Sequence, residues 1–255
     1  MATLGLFRYG IKRFLKLDRM RIAILSDIHG NLAALNRVLK CISENFSVDR
    51  YINLGDAIGY FPESTSIYNR LADYGFHSLL GNHEAMLLNY VKTSEENLKV
   101  YRLNEIRDSI DHNVLTSIKI LKPYYELKIH NLNLLFVHGS PFDPLNGRIY
   151  PDTNIDSLVY DGIDYVFMGH THYPLIKKIK EVNFINVGSV GLPRDNGLFA
   201  SFCILDTMTR NTEIFRIELD FNELIDLYGD FIHEDVKSIF FRKKNKTVIG
   251  DIIKW

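Results

Sequence analysis

Short apolar runs alternate with helical periodicities along most of the chain. Arg21–Leu25 is a brief apolar run that stops at Ser26-Asp27-Ile28-His29-Gly30, after which Leu32, Leu35, Leu39 and Ile42 recur on one helical face. Tyr51–Leu54 is the next run and ends in Gly55-Asp56. Pro62 and Glu63 open a predicted helix to about Asp73, with Gly75 beyond its end. Phe76–Leu80 leads into Gly81-Asn82-His83-Glu84, and from Glu84 to about Leu121 the pattern is mostly helical. Ile129, Leu132 and Leu134–Val137 predict a hairpin that ends in His138-Gly139-Ser140-Pro141. Tyr165–Met168 ends in Gly169-His170-Thr171-His172. Three strand patterns follow, at Val182–Val187, Leu198–Leu205 and Thr212–Ile217, with Asp206-Thr207 as a turn. Residues 221–255 read as a helix and a tail. No internal repeat or Pro/Gly/Ser linker divides the chain.

Composition narrows the class. The chain has 255 residues, a net charge of −1 and 46% hydrophobic residues, ordinary for a globular protein with a sizeable core. That balance gives no strong nucleic-acid signal. No apolar run reaches the roughly 18–20 residues of a membrane span. Cys41 and Cys203 are too few for a disulfide framework. A cytoplasmic location is the expectation; oligomeric state is left open. Residues 1–20 form a basic extension in which Arg8, Lys12, Arg13, Lys16 and Arg19 face Asp18 alone, while Leu4, Phe7, Ile11, Phe14 and Leu15 recur at helical spacing. This suits a basic amphipathic helix on a membrane or partner, a docking helix, a frayed tail, or a start at Met20.

Five apolar runs in succession thus end in polar clusters of Asp, Asn and His. Ligands of open α/β sheets gather at the carboxyl ends of the strands, so the five clusters are expected to converge. Imidazole, carboxylate and amide oxygen without thiolate suit manganese, iron, zinc, nickel or cobalt. Asp27 and His29 are two residues apart, as are His170 and His172, a spacing that lets both members of a pair point to one side of an extended segment. Asp27, His29, Asp56, Asn82, His138, His170 and His172 are too many ligands for one zinc-like ion and suit two ions sharing a carboxylate. Two such ions clamp the oxygens of an in-line phosphoryl displacement. Of the nine histidines, five fall in these clusters; His77, His112, His130 and His233 read as structural.

In this order, Asp27-x-His29, Gly55-Asp56, Gly81-Asn82-His83-Glu84, His138-Gly139 and Gly169-His170-x-His172 resemble the five motifs of the calcineurin-like metallophosphoesterases, over about residues 20–220. The resemblance implies a four-layer α/β/β/α sandwich around two mixed β-sheets. It implies a dinuclear centre, manganese first among the candidates, with Asp27, His29, Asp56 and His172 on one ion and Asp56, Asn82, His138 and His170 on the other. Hydrolysis of a phosphodiester or phosphomonoester by a metal-bound hydroxide is the implied reaction, and His83 the implied non-ligand histidine that contacts phosphate or protonates the leaving group. The implied domain spans 21–220, with a helical cap near 84–121 and a C-terminal helix and tail at 221–255.

Departures from the protein-phosphatase pattern narrow the subgroup. Gly55-Asp56-Ala57-Ile58-Gly59-Tyr60-Phe61-Pro62 lacks the phosphate-clamping arginine of that branch, and Ala85-Met86 stand where another arginine follows Gly-Asn-His-Glu. Together with Asn186-Val187-Gly188-Ser189-Val190-Gly191, the string resembles the compact prokaryotic phosphodiesterase-like branch. There Arg194 could return an arginine to the site, against a surface pairing with Asp195; a planar guanidinium suits bidentate phosphate binding. Asn31 is a substrate or supporting contact or a helix cap. Tyr60, Phe61 and Tyr173 wall an aryl group or pack. Protein phosphatase, dinucleoside polyphosphate hydrolase, nuclease and non-catalytic metal-bound scaffold are the alternatives to a hydrolase of small phosphate esters.

Overall fold

The computed structural model describes residues 20–155, 161–242 and 249–253. The basic extension therefore lies outside the described residues, apart from Met20. Eleven strands and eight helices are found among them. The strands are β1 (Arg21–Leu25), β2 (Arg50–Asn53), β3 (His77–Ser78), β4 (Tyr124–Ile129), β5 (Leu132–Val137), β6 (Tyr165–Met168), β7 (Leu175–Ile179), β8 (Val182–Asn186), β9 (Phe199–Asp206), β10 (Asn211–Glu218) and β11 (Asp251–Ile253). The helices are α1 (Leu32–Asn45), α2 (Ser64–Asp73), α3 (Asn82–Leu87), α4 (Glu95–Tyr101), α5 (Leu103–Ser109), α6 (His112–Ile118), α7 (Phe221–Tyr228) and α8 (Glu234–Phe240).

Two mixed sheets result. The first runs β11-β10-β9-β1-β2-β3 and the second β4-β5-β6-β8-β7. Ile22, Ile24, Ile52 and Leu54 of the first sheet pack against Leu134, Phe136, Phe167 and Ile185 of the second, a dry layer fed by alternate residues of each strand. The other face of the first sheet takes Ala23 and Leu25 into a larger core with α1, α2, α5 to α8. The outer face of the second sheet buries Leu135, Val137, Val166 and Phe184 beneath Ile149 and Ile155, so among the described residues an irregular segment covers it.

The parallel pairs set where chemistry gathers. β1, β2 and β3 are mutually parallel, as are β5, β6 and β8, so six carboxyl ends rise at one rim. The antiparallel hairpins β4–β5, β7–β8 and β9–β10 turn at the opposite rim, through His130-Asn131, Lys180-Glu181 and Thr207–Arg210.

Two regions differ from the sequence reading. Residues 84–121 are four short helices, because Ser94 and Asp111 cap new starts and Arg102 adopts left-handed backbone (φ +56°) between α4 and α5. Beyond residue 220 the chain forms two helices and then a strand, β11, which adds parallel to β10; Asp220 and His233 supply the helix caps.

Candidate metal centre

The eight residues of the five clusters meet at the rim and are buried, from fully enclosed Asp27, His29 and His138 to His170 at 8% exposure, the most solvent-accessible of them. Asp27 follows β1, Asp56 follows β2, Asn82 and His83 open α3 after β3, His138 follows β5, and His170 and His172 follow β6. The local backbone is unusual. Asp27, His29, Asp56, Tyr60, His170 and His172 all lie in the left-handed region, with φ between +53° and +65°. Such conformations persist in non-glycine residues only where surroundings over-determine them, and they concentrate at functional sites. They also correct the expectation of extended Asp-x-His and His-x-His segments. His170 and His172 are turned to different groups: Asp27, His29 and His172 form one set of possible ligand atoms, and Asp56, His138 and His170 another.

The imidazoles are oriented by backbone carbonyls. His29 Nδ1 donates to Ile58 O (3.0 Å), His172 Nδ1 to Leu192 O (2.6 Å) and His138 Nδ1 to Leu54 O (3.1 Å). A carbonyl can only accept, so in each neutral ring Nε2 carries the lone pair. Yet His29 Nε2 and His172 Nε2 face each other at 3.0 Å, and His138 Nε2 faces Asn82 Oδ1 at 2.9 Å. His170 Nε2 is buried with no partner. Acceptors brought face to face and left unsatisfied are what a cation site requires, and a carbonyl-bound Nδ1–H is the usual support of a ligating histidine.

The carboxylates complete the pattern. Asp27 Oδ1 lies 3.2 Å from His172 Nε2 and 3.8 Å from His29 Nε2, while its Oδ2 accepts from His170 N–H (2.9 Å). Asp56 Oδ2 lies 3.5 Å from His138 Nε2 and 3.8 Å from His83 Nε2, and its Oδ1 accepts from His83 N–H (2.9 Å). Asp56 also belongs with His29 and His83 to a third set of donor atoms, so the Asp27 set and the His138 set are linked through His29 and Asp56 together. Burial opposes ionisation of both carboxyls. His172 outweighs it at Asp27, His138 and His83 outweigh it at Asp56, and both are held well below the usual carboxylate range. Burial pushes His29 down, His83 down to about 4 and His170 down to about 3. At His138 burial is overcome by Asp56, which lifts it to about 9.

His83 sits between the donors and a tyrosine wall. Its ring packs 4.5 Å from Tyr101, 4.8 Å from His29 and 5.0 Å from Tyr60. Tyr60 is almost fully buried, and its hydroxyl accepts from Arg194 Nη2 at 3.2 Å. Arg194 Nε is buried without a partner, and the side chain reaches the hydroxyl of Tyr60, whose ring packs against His29 and His83. Asp195 is not its surface partner but pairs with buried Arg216.

Asn31 is a helix cap. Its Oδ1 accepts from Ala34 N–H (3.0 Å) and its Nδ2 donates to Gly191 O (3.0 Å), so the fully buried amide ties the start of α1 to the Gly191 turn. Phe61 is buried in the core, and Tyr173 rests edge-on against Tyr150. The histidines read as structural are so placed: His77 against Tyr125, His112 beginning α6, His130 against Thr207, and His233 capping α8.

Three supports went unassigned in the sequence. The fully buried Glu84 carboxylate accepts from Asp56, Ala57, Ile58 and Gly81 N–H and from the Tyr68 hydroxyl, at 2.7–3.3 Å. Burial and then Asp56 raise it to about 7. Ser189 Oγ donates to Asp27 O (2.7 Å), and Asn186 Nδ2 donates to Gly169 O (2.6 Å). Gly81 must lack a Cβ, which would collide with the Asp56 backbone nitrogen and carboxylate.

Sequence comparison agrees with this geometry. Residues 20–210 match the calcineurin-like phosphoesterase superfamily domain. The chain belongs to that superfamily. It is 32% identical over 219 residues to the uncharacterized protein MJ0912 of Methanocaldococcus jannaschii, covering 78% of this chain and 88% of the relative. It is 29% identical over 188 residues to the phosphodiesterase YfcE of Escherichia coli, covering 73% and 88% respectively. The solved metallophosphoesterase of Sphaerobacter thermophilus superposes with a TM-score of 0.70 at 24% identity, over 87% of this chain and 98% of that one, which establishes the common fold. As a member of the superfamily the chain is a metal-dependent phosphoric ester hydrolase, and its Asp/His clusters fit divalent ions. Among the described residues no helix is long and apolar enough to cross a membrane.

Proposed function

We propose that the protein hydrolyses small phosphodiesters at a dinuclear centre, with Asp27, His29, Asp56 and His172 holding one ion and Asp56, Asn82, His138 and His170 the other. The observation that carries this reading is the pair of Nε2 atoms of His29 and His172 at 3.0 Å, each ring tied through Nδ1 to a carbonyl. When bound, such ions supply positive charge at the phosphoryl oxygens and make a water acidic enough to serve near neutral pH. Manganese, with iron, zinc, nickel or cobalt as alternatives, suits the nitrogen and oxygen donors.

The chain's own residues orient and discriminate. Arg194, fixed against Tyr60, presents a planar guanidinium toward a phosphate oxygen. His83 Nε2 lies on the Asp56 side of its ring, next to the reacting group, and offers its proton or N–H to the departing oxygen. Tyr101 and Tyr60 pack on the ring, and Nδ1 is the nitrogen buried without a partner. A diester is favoured over a phosphoprotein because the arginines of the protein-phosphatase pattern are missing and the phosphodiesterase YfcE matches most of the chain.

The test is hydrolysis of bis(p-nitrophenyl) phosphate with each of the five metals, followed by His83→Ala. Activity with at least one ion is expected. The variant should keep its metal and lose about 10²–10⁴-fold in rate, more for alkyl than for nitrophenyl esters, because the poorer leaving group needs the proton more. No hydrolysis with any ion would overturn the reading, and loss of metal in the variant would make His83 a ligand.

A further inference from the structure

Arg216, on β10, lies beyond the family-matched residues, which end at 210. It is nevertheless the largest fully buried side chain among the described residues. Its Nη1 and Nη2 grip the Asp195 carboxylate at 2.6 and 3.0 Å, in the two-pronged geometry that fixes both direction and distance. The same guanidinium donates to Phe199 O (2.6 Å) and to Ile249 O (3.3 Å), the latter just ahead of β11. One cation thus ties three segments, β9, the approach to β11, and the turn carrying Arg194, to the strand β10.

That turn is held from two sides. At its start, Leu192 N–H donates to Ser189 Oγ (2.8 Å), and Leu192 O accepts from His172. At its end stands Asp195, whose partner is Arg216. Arg194 lies between these anchors, its N–H on His172 O (3.3 Å) and its Nη2 on Tyr60. Releasing Asp195 frees the Arg194 end of the turn, whereas Ser189 keeps the His172 end in place.

We propose that Arg216 is a positioning residue for substrate phosphate, acting through Asp195 to hold the Arg194 guanidinium over the site; this rests on the reading of Arg194 as a phosphate contact. The inference makes the C-terminal strands part of the specificity apparatus of the hydrolase. An exposed arginine would save the cost of burying a charge, and what burial supplies is rigidity: the carboxylate has a single geometry in which both oxygens are satisfied.

The test uses the full chain, loaded with Mn²⁺, and four proteins: parent, Arg194→Ala, Arg216→Lys and the double variant. Lysine keeps the buried charge and so protects the fold, but it cannot hold both carboxylate oxygens in the same plane. The readouts are KM and kcat for bis(p-nitrophenyl) phosphate, the Kd of inorganic phosphate by calorimetry, and metal content. Arg216→Lys should raise KM and the phosphate Kd about 5- to 20-fold, the size of a disturbed charge-assisted contact, with kcat within about two-fold and metal content unchanged. In the Arg194→Ala background it should add nothing. Equal losses in both backgrounds, or loss of metal, would overturn the positioning role and leave Arg194 as a contact. An Arg194→Ala protein with parental KM and phosphate Kd would overturn both readings together.

Discussion

The two sheets deliver their halves of the site by the same backbone device but secure them with different chemistry. Asp27, His29 and Asp56 on the first-sheet side, and His170 and His172 on the second, all stand in left-handed conformations after a strand. On the first-sheet side the Gly55–Ile58 loop is gathered by one carboxylate, Glu84, with five donors converging on it. On the second-sheet side the anchors are neutral: the Asn186 amide holds Gly169 and Thr171, and the Ser189 hydroxyl crosses from Asp27 of the first-sheet side to the Leu192 turn that orients His172. A charged hub gathers more donors at a single point and is correspondingly harder to replace. Distributed neutral hydrogen bonds fail one at a time.

The largest effect is expected where the halves join. Asp56→Asn removes the carboxylate charge that faces His138, His170, His29 and His83 and is proposed to be shared by both ions, so elemental analysis should find one or both metals lost, hydrolysis at background, and a lowered Tm, because a ligand bound only by the folded state no longer contributes. A variant retaining the parental metal content would break the bridging assignment.

The contrast between hubs gives the next two effects in size. Glu84→Ala leaves several buried donors unsatisfied and should cost about 3–5 kcal/mol, near the upper end for single substitutions. Ser189→Ala removes a single hydroxyl and should cost about 1–3 kcal/mol. Denaturant unfolding of the two variants checks this order, and equal losses would show that the charge of Glu84 confers nothing beyond its hydrogen bonds.

The last effect is a pH dependence, measured as Tm in chelator. His29, His83 and His170 are lowered from the ordinary 6.5, to about 4 and about 3 in the last two cases. Below pH 6.5 the unfolded chain binds more protons at these three, so stability falls as pH falls. Glu84, raised to about 7 from 4.5, opposes them over pH 4.5–7, one group against three. His138, raised to about 9, contributes stability that is lost as pH climbs from 6.5 through 9. A maximum near pH 6.5 is therefore expected, and His138→Asn should flatten the alkaline limb alone. An unchanged alkaline limb would remove His138 from the account.

Much of this arrangement was legible in the chain. The apolar runs at Arg21–Leu25, Tyr51–Leu54, Leu134–Val137 and Tyr165–Met168 are strands or end strands, and their polar tails meet because the strands are parallel. The run at Phe76–Leu80 shrinks to the pair His77–Ser78, since only β2 is there to bond it. β11 escaped notice because three residues, two of them exposed, carry no alternation. The role of Glu84 could not be read from spacing: nothing in Gly-Asn-His-Glu tells that its carboxylate reaches back 26–28 residues to the Asp56 loop. Nor could Arg216 be distinguished from any other cation in an alternating strand, where an arginine reads as solvent-facing.

The hairpins that close away from the site have a practical meaning for handling the molecule. His130-Asn131, Lys180-Glu181 and the turn ending at Arg210 are exposed, and each is separated from the metal rim by the length of a strand, about 15 Å for five residues at the usual rise. A fluorophore, an affinity tag or a tether to a solid support placed between Lys180 and Glu181 would therefore leave the reaction chamber facing outward and unobstructed, so that a captured sample presents its working end to the liquid.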